Sequence, residues 1–139
     1  MKSILKLVLI TFLFANPLFA KSSYFQEGIA LYKNKNFKKA KFKFEQDIVY
    51  NPKNEISYLY LSKIYKNLDK KNLEEQYLNT VILLNPKNEE AILNLAKLKL
   101  DSSDYKKSKE LNIKLSSLCK KFCKESKKLK NEIENLSKK

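Results

Sequence analysis

The stretch Asn51-Pro52-Lys53-Asn54-Glu55 recurs unchanged as Asn85-Pro86-Lys87-Asn88-Glu89, an offset of 34 residues. Elsewhere the chain has one proline, Pro17. Each Asn-Pro pair is a helix stop, because proline lacks a donor N–H and drives the residue before it out of the helical region. The glutamate that closes each copy suits the start of a new helix, where the helix dipole favours negative charge. Two identical stops one period apart mark the residues between them as a structural unit, with further units on either side.

Laid on that period, the chain gives units 21–54, 55–88 and 89–122. The fourth positions are Tyr24, Tyr58 and Ile92, and the twenty-fourth are Phe44, Leu78 and Asn112. The eighth are always small: Gly28, Ser62 and Ala96. The twentieth are Ala40, Glu74 and Ser108. Ahead of each stop, apolar residues recur in steps of three and four, as in Phe37, Ala40, Phe44 and Ile48, and again in Tyr77, Leu78, Val81 and Ile82. This spacing predicts helices over 22–34, 37–50, 55–68, 71–84, 89–100 and 104–118. A seventh, over 122–137, carries Phe122, Leu129, Ile133 and Leu136 on one side and lysine and glutamate on the other, which suits a cap on a repeat stack. Gly28 reads as a packing residue that lets paired helices approach closely.

The pattern resembles the tetratricopeptide repeat (TPR) family, whose units are helix–turn–helix pairs with large apolar residues at positions 4 and 24, small ones at 8 and 20, and proline at 32. Glu27, Asp47 and Glu74 depart from the family's usual residues. Unit three lacks the proline and has Lys99 and Asn112 at apolar positions. The resemblance implies an all-α domain over 21–139, a right-handed superhelix of about three repeats plus the capping helix. It also implies a concave groove lined by the first helix of each unit, able to hold an extended protein segment. Carried over position by position, the groove residues are Phe25, Ile29 and Tyr32, then Leu59, Lys63 and Lys66, then Leu93 and Lys97. That set suits a peptide with an apolar anchor and an acidic residue. For Phe25, Ile29 and Leu59 the other reading is plain core packing. The lysine-and-asparagine clamp with which some members hold C-terminal carboxylates is not reproduced, because Phe25 and Ile29 stand in its place.

Composition removes whole classes of function. The 139 residues include no histidine, arginine or tryptophan and one glycine. A glycine-rich phosphate loop needs more glycine, and most general acid–base schemes and zinc sites need histidine. The serines have no histidine base. Neither catalysis, nor a cofactor, nor a metal is expected. The cysteines, Cys119 and Cys123, are spaced C-x-x-x-C and allow a local disulfide, two free thiols, or a redox or metal role. A turn there would accept a disulfide more readily than a continuous helix.

The formal net charge is +14, with lysine supplying every basic residue. Nucleic acid is not the expected partner, since arginine, favoured for phosphate and guanine contacts, is absent. Lys38, Lys39, Lys41 and Lys43 form one of several clusters that would suit anionic lipid or cell-wall polymer. Residues 1–20 read as a signal peptide: Lys2 and Lys6 precede the apolar run Leu7 to Ala15, and Ala20 is a small residue at the cleavage point. That run is shorter than the roughly 20 apolar residues a bilayer span needs.

The expected function is therefore a non-enzymatic interaction module, exported to the periplasm or cell envelope of a bacterium, which binds a protein segment in its groove. The alternative is a basic envelope-adhering protein, held to anionic lipid or cell-wall polymer by its lysines. Self-assembly with a second copy through Leu129, Ile133 and Leu136 is a further reading.

Overall fold

The computed structural model describes residues 17–137, with side chains from Tyr24 onward. Among them are seven helices and no strand: α1 (Pro17–Lys33), α2 (Phe37–Tyr50), α3 (Glu55–Asn67), α4 (Lys71–Leu84), α5 (Glu89–Asp101), α6 (Tyr105–Leu118) and α7 (Cys123–Leu136). Residues 1–16 of the expected signal peptide lie outside the described residues. Proline is tolerated in the first turn of a helix, where its missing N–H has no partner to lose. Pro17 is accordingly the first residue of α1.

The period is written into the backbone more faithfully than into the side chains. The non-glycine residues with positive φ are Lys35 (58°), Asp69 (52°) and Ser103 (61°), spaced by the same 34 residues. Each sits just past the first helix of a unit and closes it in the same way. The N–H of Lys35 donates to the Tyr32 carbonyl and that of Asn36 to the Leu31 carbonyl, both at 2.9 Å. Asp69 and Lys70 repeat this pair of bonds onto Lys66 and Tyr65, and Ser103 and Asp104 repeat it onto Leu100 and Lys99. Such a left-handed cap satisfies the last carbonyls of a helix and turns the chain back. Side chains then start the second helices: Asn36 Oδ1 accepts from the Lys39 N–H at 3.4 Å, and Asp104 Oδ1 from the Lys107 N–H at 3.0 Å.

The turns between units also fall on the period. The third, where no proline is available, is closed by a disulfide between Cys119 and Cys123, whose Cα atoms lie 5.3 Å apart. These cysteines stand 34 residues after Asn85 and Glu89. Glu89 itself braces the same turn: its carboxylate accepts from the N–H groups of Lys120, Lys121 and Phe122 at 2.9, 3.0 and 3.1 Å.

The described residues form two compact units, one ending at Ser57 and the other starting at Tyr58. In the first, α1 packs on α2. Gly28 is buried against the Phe44 ring; a Cβ there would come within 2.7 Å of it. In the second, α4 packs on α5, α5 on α6, and α6 on α7. Its core gathers Leu78, Val81, Ile92, Leu95, Leu98, Leu111 and Leu115. The residues of unit three that depart from the TPR pattern both find partners. Lys99 pairs with Glu75 at 2.6 Å. Asn112, buried, donates to the Ser126 carbonyl at 3.1 Å and accepts from the Ser126 hydroxyl at 2.9 Å, which ties α6 to α7. Leu129 and Ile133 of α7 are buried in this core, and of the three residues expected to face a second copy only Leu136 is exposed.

Candidate functional site

In the second unit, α5 is buried nearly all round by Ala91, Ile92, Leu93, Leu95, Ala96, Leu98 and Leu100. Besides Glu89 and Lys99, its open side chains are Glu90, Asn94, Lys97 and Asp101, spaced by three and four so that they share one face. On α3 the same positions are Ile56, Tyr60, Lys63 and Asn67. The two lines meet where Lys63 Nζ lies 2.7 Å from Glu90 Oε1. Lys63 Nζ also sits 5.2 Å from the centre of the Tyr60 ring, a cation–π distance. The face is thus a half-open polar strip with an aromatic platform at Tyr60, laid over an apolar floor.

Several expected groove residues are elsewhere. Leu59 and Leu93, 5% and 3% exposed, belong to the floor and present nothing to solvent. Lys66 is exposed and acts on Glu74, which occupies a buried position where a small residue is usual. Burial pushes the Glu74 carboxyl up, while the Lys66 ammonium pulls it back. Lys63 and Lys97 do lie on the strip. The resemblance places ligand contacts at the second, fifth, ninth and twelfth positions. Here the fifth is leucine in repeats two and three and turns inward, and the sixth, Tyr60 and Asn94, turns outward. The i, i+4 spacing of Ile56–Tyr60 and Glu90–Asn94 was the signal that would have found them.

In the first unit, Phe25 meets the Phe44 ring edge-on at 6.3 Å between centroids. Tyr32 meets Phe37 at 5.3 Å. Ile29 is half-buried. These aromatics hold α1 to α2, as does Lys43, which pairs with Glu27 at 2.6 Å and lies 5.1 Å from the Tyr24 ring centre. Among the described residues, no three His, Cys, Asp or Glu side chains come together as metal ligands, and no helix is long and apolar enough to cross a membrane.

No family model matches the chain, and no curated protein does. Solved structures do. The first TPR domain of Spaghetti (RPAP3), bound to an HSP90 peptide SRMEEVD, is similar with a TM-score of 0.74 at 14% identity, over 84% of this chain and 93% of that one. The Yersinia enterocolitica type III secretion chaperone SycD, in complex with a peptide of the translocator YopD, has a TM-score of 0.74 at 13% identity, over 85% and 94%. The Arabidopsis OM64 TPR domain has a TM-score of 0.70 at 23% identity, over 81% and 95%. At these identities the likeness speaks to the fold, and it agrees with the repeated caps and turns: the chain has the all-α tetratricopeptide-repeat fold.

Proposed function

We propose that the chain is a non-enzymatic interaction module that holds an extended protein segment along the Tyr60–Lys63–Asn94–Lys97 strip of α3 and α5. The observation that carries this is the Lys63–Glu90 pair on a face otherwise bare of acids apart from Asp101. A half-exposed ion pair of this kind adds little to folding, about 0–1 kcal/mol. An acidic side chain of a partner can displace Glu90 and take both Lys63 and Lys97, with an apolar neighbour on Tyr60. Two of the solved structures of this fold hold peptides, one of them rich in glutamate, which supports the reading.

We further propose that the module works after export into a bacterial envelope. Lys2, Lys6 and the apolar run Leu7 to Ala15 support this. N-terminal sequencing of the protein recovered from the envelope fraction is expected to start at Lys21; recovery from the cytoplasm with Met1 intact would sink it.

The groove assignment is tested with a photo-crosslinking residue at Asn94, and at Gln76 on the exposed side of α4 for comparison. Asn94 is expected to give a discrete adduct that is lost in Lys63→Glu/Lys97→Glu, and Gln76 none. Equal adducts at both positions, or adducts indifferent to the lysines, would show that the strip is not where the segment binds.

A further inference from the structure

We infer that the outward face of α2 is a docking surface for an anionic lipid bilayer. Phe42 is 57% exposed and Val49 75%. They lie seven residues apart, on one line of the helix, with exposed Tyr50 beside them. The period puts Gln76 and Glu110 where the first unit has Phe42, and both are exposed. That position therefore faces water in all three units, and the first unit alone gives it an aromatic side chain.

The charge around this line is one-sided. Exposed Lys38 and Lys39 stand one turn before Phe42, Lys35 lies in the turn ahead of the helix, and Lys53 lies just past its end. The acids of α2 are taken: Glu45 pairs with Lys41 at 2.9 Å, and Asp47 is buried. In α4, the corresponding helix of the next unit, the acids are taken as well, Glu74 by burial and Glu75 by Lys99, but Lys71 is its one lysine where α2 has four. The unpaired ammonium groups sit at the two ends of a helix about 21 Å long, Lys35, Lys38 and Lys39 at its start and Lys53 past its end, so they are not gathered at one point. That spacing suits a plane of phosphates better than a single acidic side chain. Phe42 and Val49 would enter the boundary between headgroups and acyl chains while the long lysine stems reach back to the phosphates. These residues are separate from the strip on α3 and α5, so the inference stands whether or not that strip binds a segment.

The chain has no tryptophan, so Phe42→Trp gives this face the only indole in the protein. Leu83→Trp, at an exposed apolar position of α4, is the comparison. With the full chain, vesicles of phosphatidylcholine mixed with phosphatidylglycerol are expected to shift the Phe42→Trp emission to the blue. Phosphatidylcholine alone, or Leu83→Trp with either vesicle, is expected to leave emission unmoved. Adding Lys38→Gln and Lys39→Gln to Phe42→Trp is expected to weaken the vesicle titration about 25-fold. An unmoved Phe42→Trp emission overturns the inference, and so does an equal shift in Leu83→Trp, which would mean indiscriminate adsorption of a basic chain. A shift produced equally by polyglutamate would assign the face to an acidic protein segment instead.

Discussion

The two copies of Asn-Pro-Lys-Asn-Glu build one backbone and two different interiors. In both, the first asparagine N–H donates to the helix before it, Asn51 to the Asp47 carbonyl at 2.7 Å and Asn85 to the Val81 carbonyl at 2.8 Å. In both, the second asparagine N–H closes the turn onto the first, at 3.0 and 3.1 Å. The side chains then diverge. Asp47 is 1% exposed, and its Oδ2 accepts from Asn54 Nδ2 at 2.7 Å and from the Ser57 hydroxyl at 2.5 Å. Its Oδ1 is buried with no hydrogen-bond partner. In the second copy the residues at these positions are Val81 and Ala91, both fully buried, and Asn88 turns its Oδ1 to cap α5 at the Ala91 N–H, 3.0 Å away. The pentapeptide dictates where the chain bends. Residues four before and two after it decide whether the bend is locked by polar contacts or by packing.

This contrast can be broken from either side. Val81→Asp gives the second turn the acid of the first without its serine, leaving a carboxyl buried among leucines. It is expected to cost about 3 kcal/mol or more in urea unfolding; a loss below 1 kcal/mol would mean that the interior of this turn tolerates polarity. Ser57→Ala removes one donor from Asp47 and is expected to cost about 1–3 kcal/mol, whereas Asp47→Val with Ser57→Ala, which copies the second turn into the first, is expected to be close to neutral or stabilising. If the double variant is as weak as the single one, the polar lock is not replaceable by packing.

The third turn sharpens the comparison, because a covalent bond stands where the other two rely on proline. Cys119→Ser/Cys123→Ser is expected to lose about 2 kcal/mol, the loop-closure value for so short a ring. The smallest effect concerns Glu89. Desolvation alone would raise its carboxyl, but the N–H groups of Phe122, Lys121 and Lys120 and the charge of Lys121 outweigh this and hold it below its ordinary 4.5. A carboxylate with a lowered folded-state pKa gives its full contribution above the unfolded value and loses it as pH falls through the folded one. Glu89→Gln is therefore expected to flatten the loss of stability below pH 4.5; acid unfolding curves parallel to wild type would show that the three contacts contribute nothing.

The helix boundaries were legible because they are local. The Asn-Pro stops, the apolar spacing of three and four, and the small residues Gly28, Ser62 and Ala96 act within a few residues of themselves, and six of the seven helices fall within one residue of expectation. The left-handed caps were not legible. Lys35, Asp69 and Ser103 are ordinary surface residues, and no glycine announces them. Nor could composition say that Asn112 would be satisfied by Ser126, fourteen residues on, or that Leu59 and Leu93 would face the floor while Tyr60 and Asn94 face out. Those outcomes depend on which neighbouring helix covers which side, and a single position on a period of 3.6 residues does not carry that.

The disulfide also changes what a protease would see. Lys120 and Lys121 form the exposed tip of the third turn, a pair of adjacent sites for a trypsin-like enzyme, and both lie inside the ring closed by Cys119 and Cys123. A cut between them severs the polypeptide but does not free its last helix, because the two new ends remain bonded through sulfur. Nicked and intact protein would run as one species on a non-reducing gel, and the wound would show only after a thiol was added.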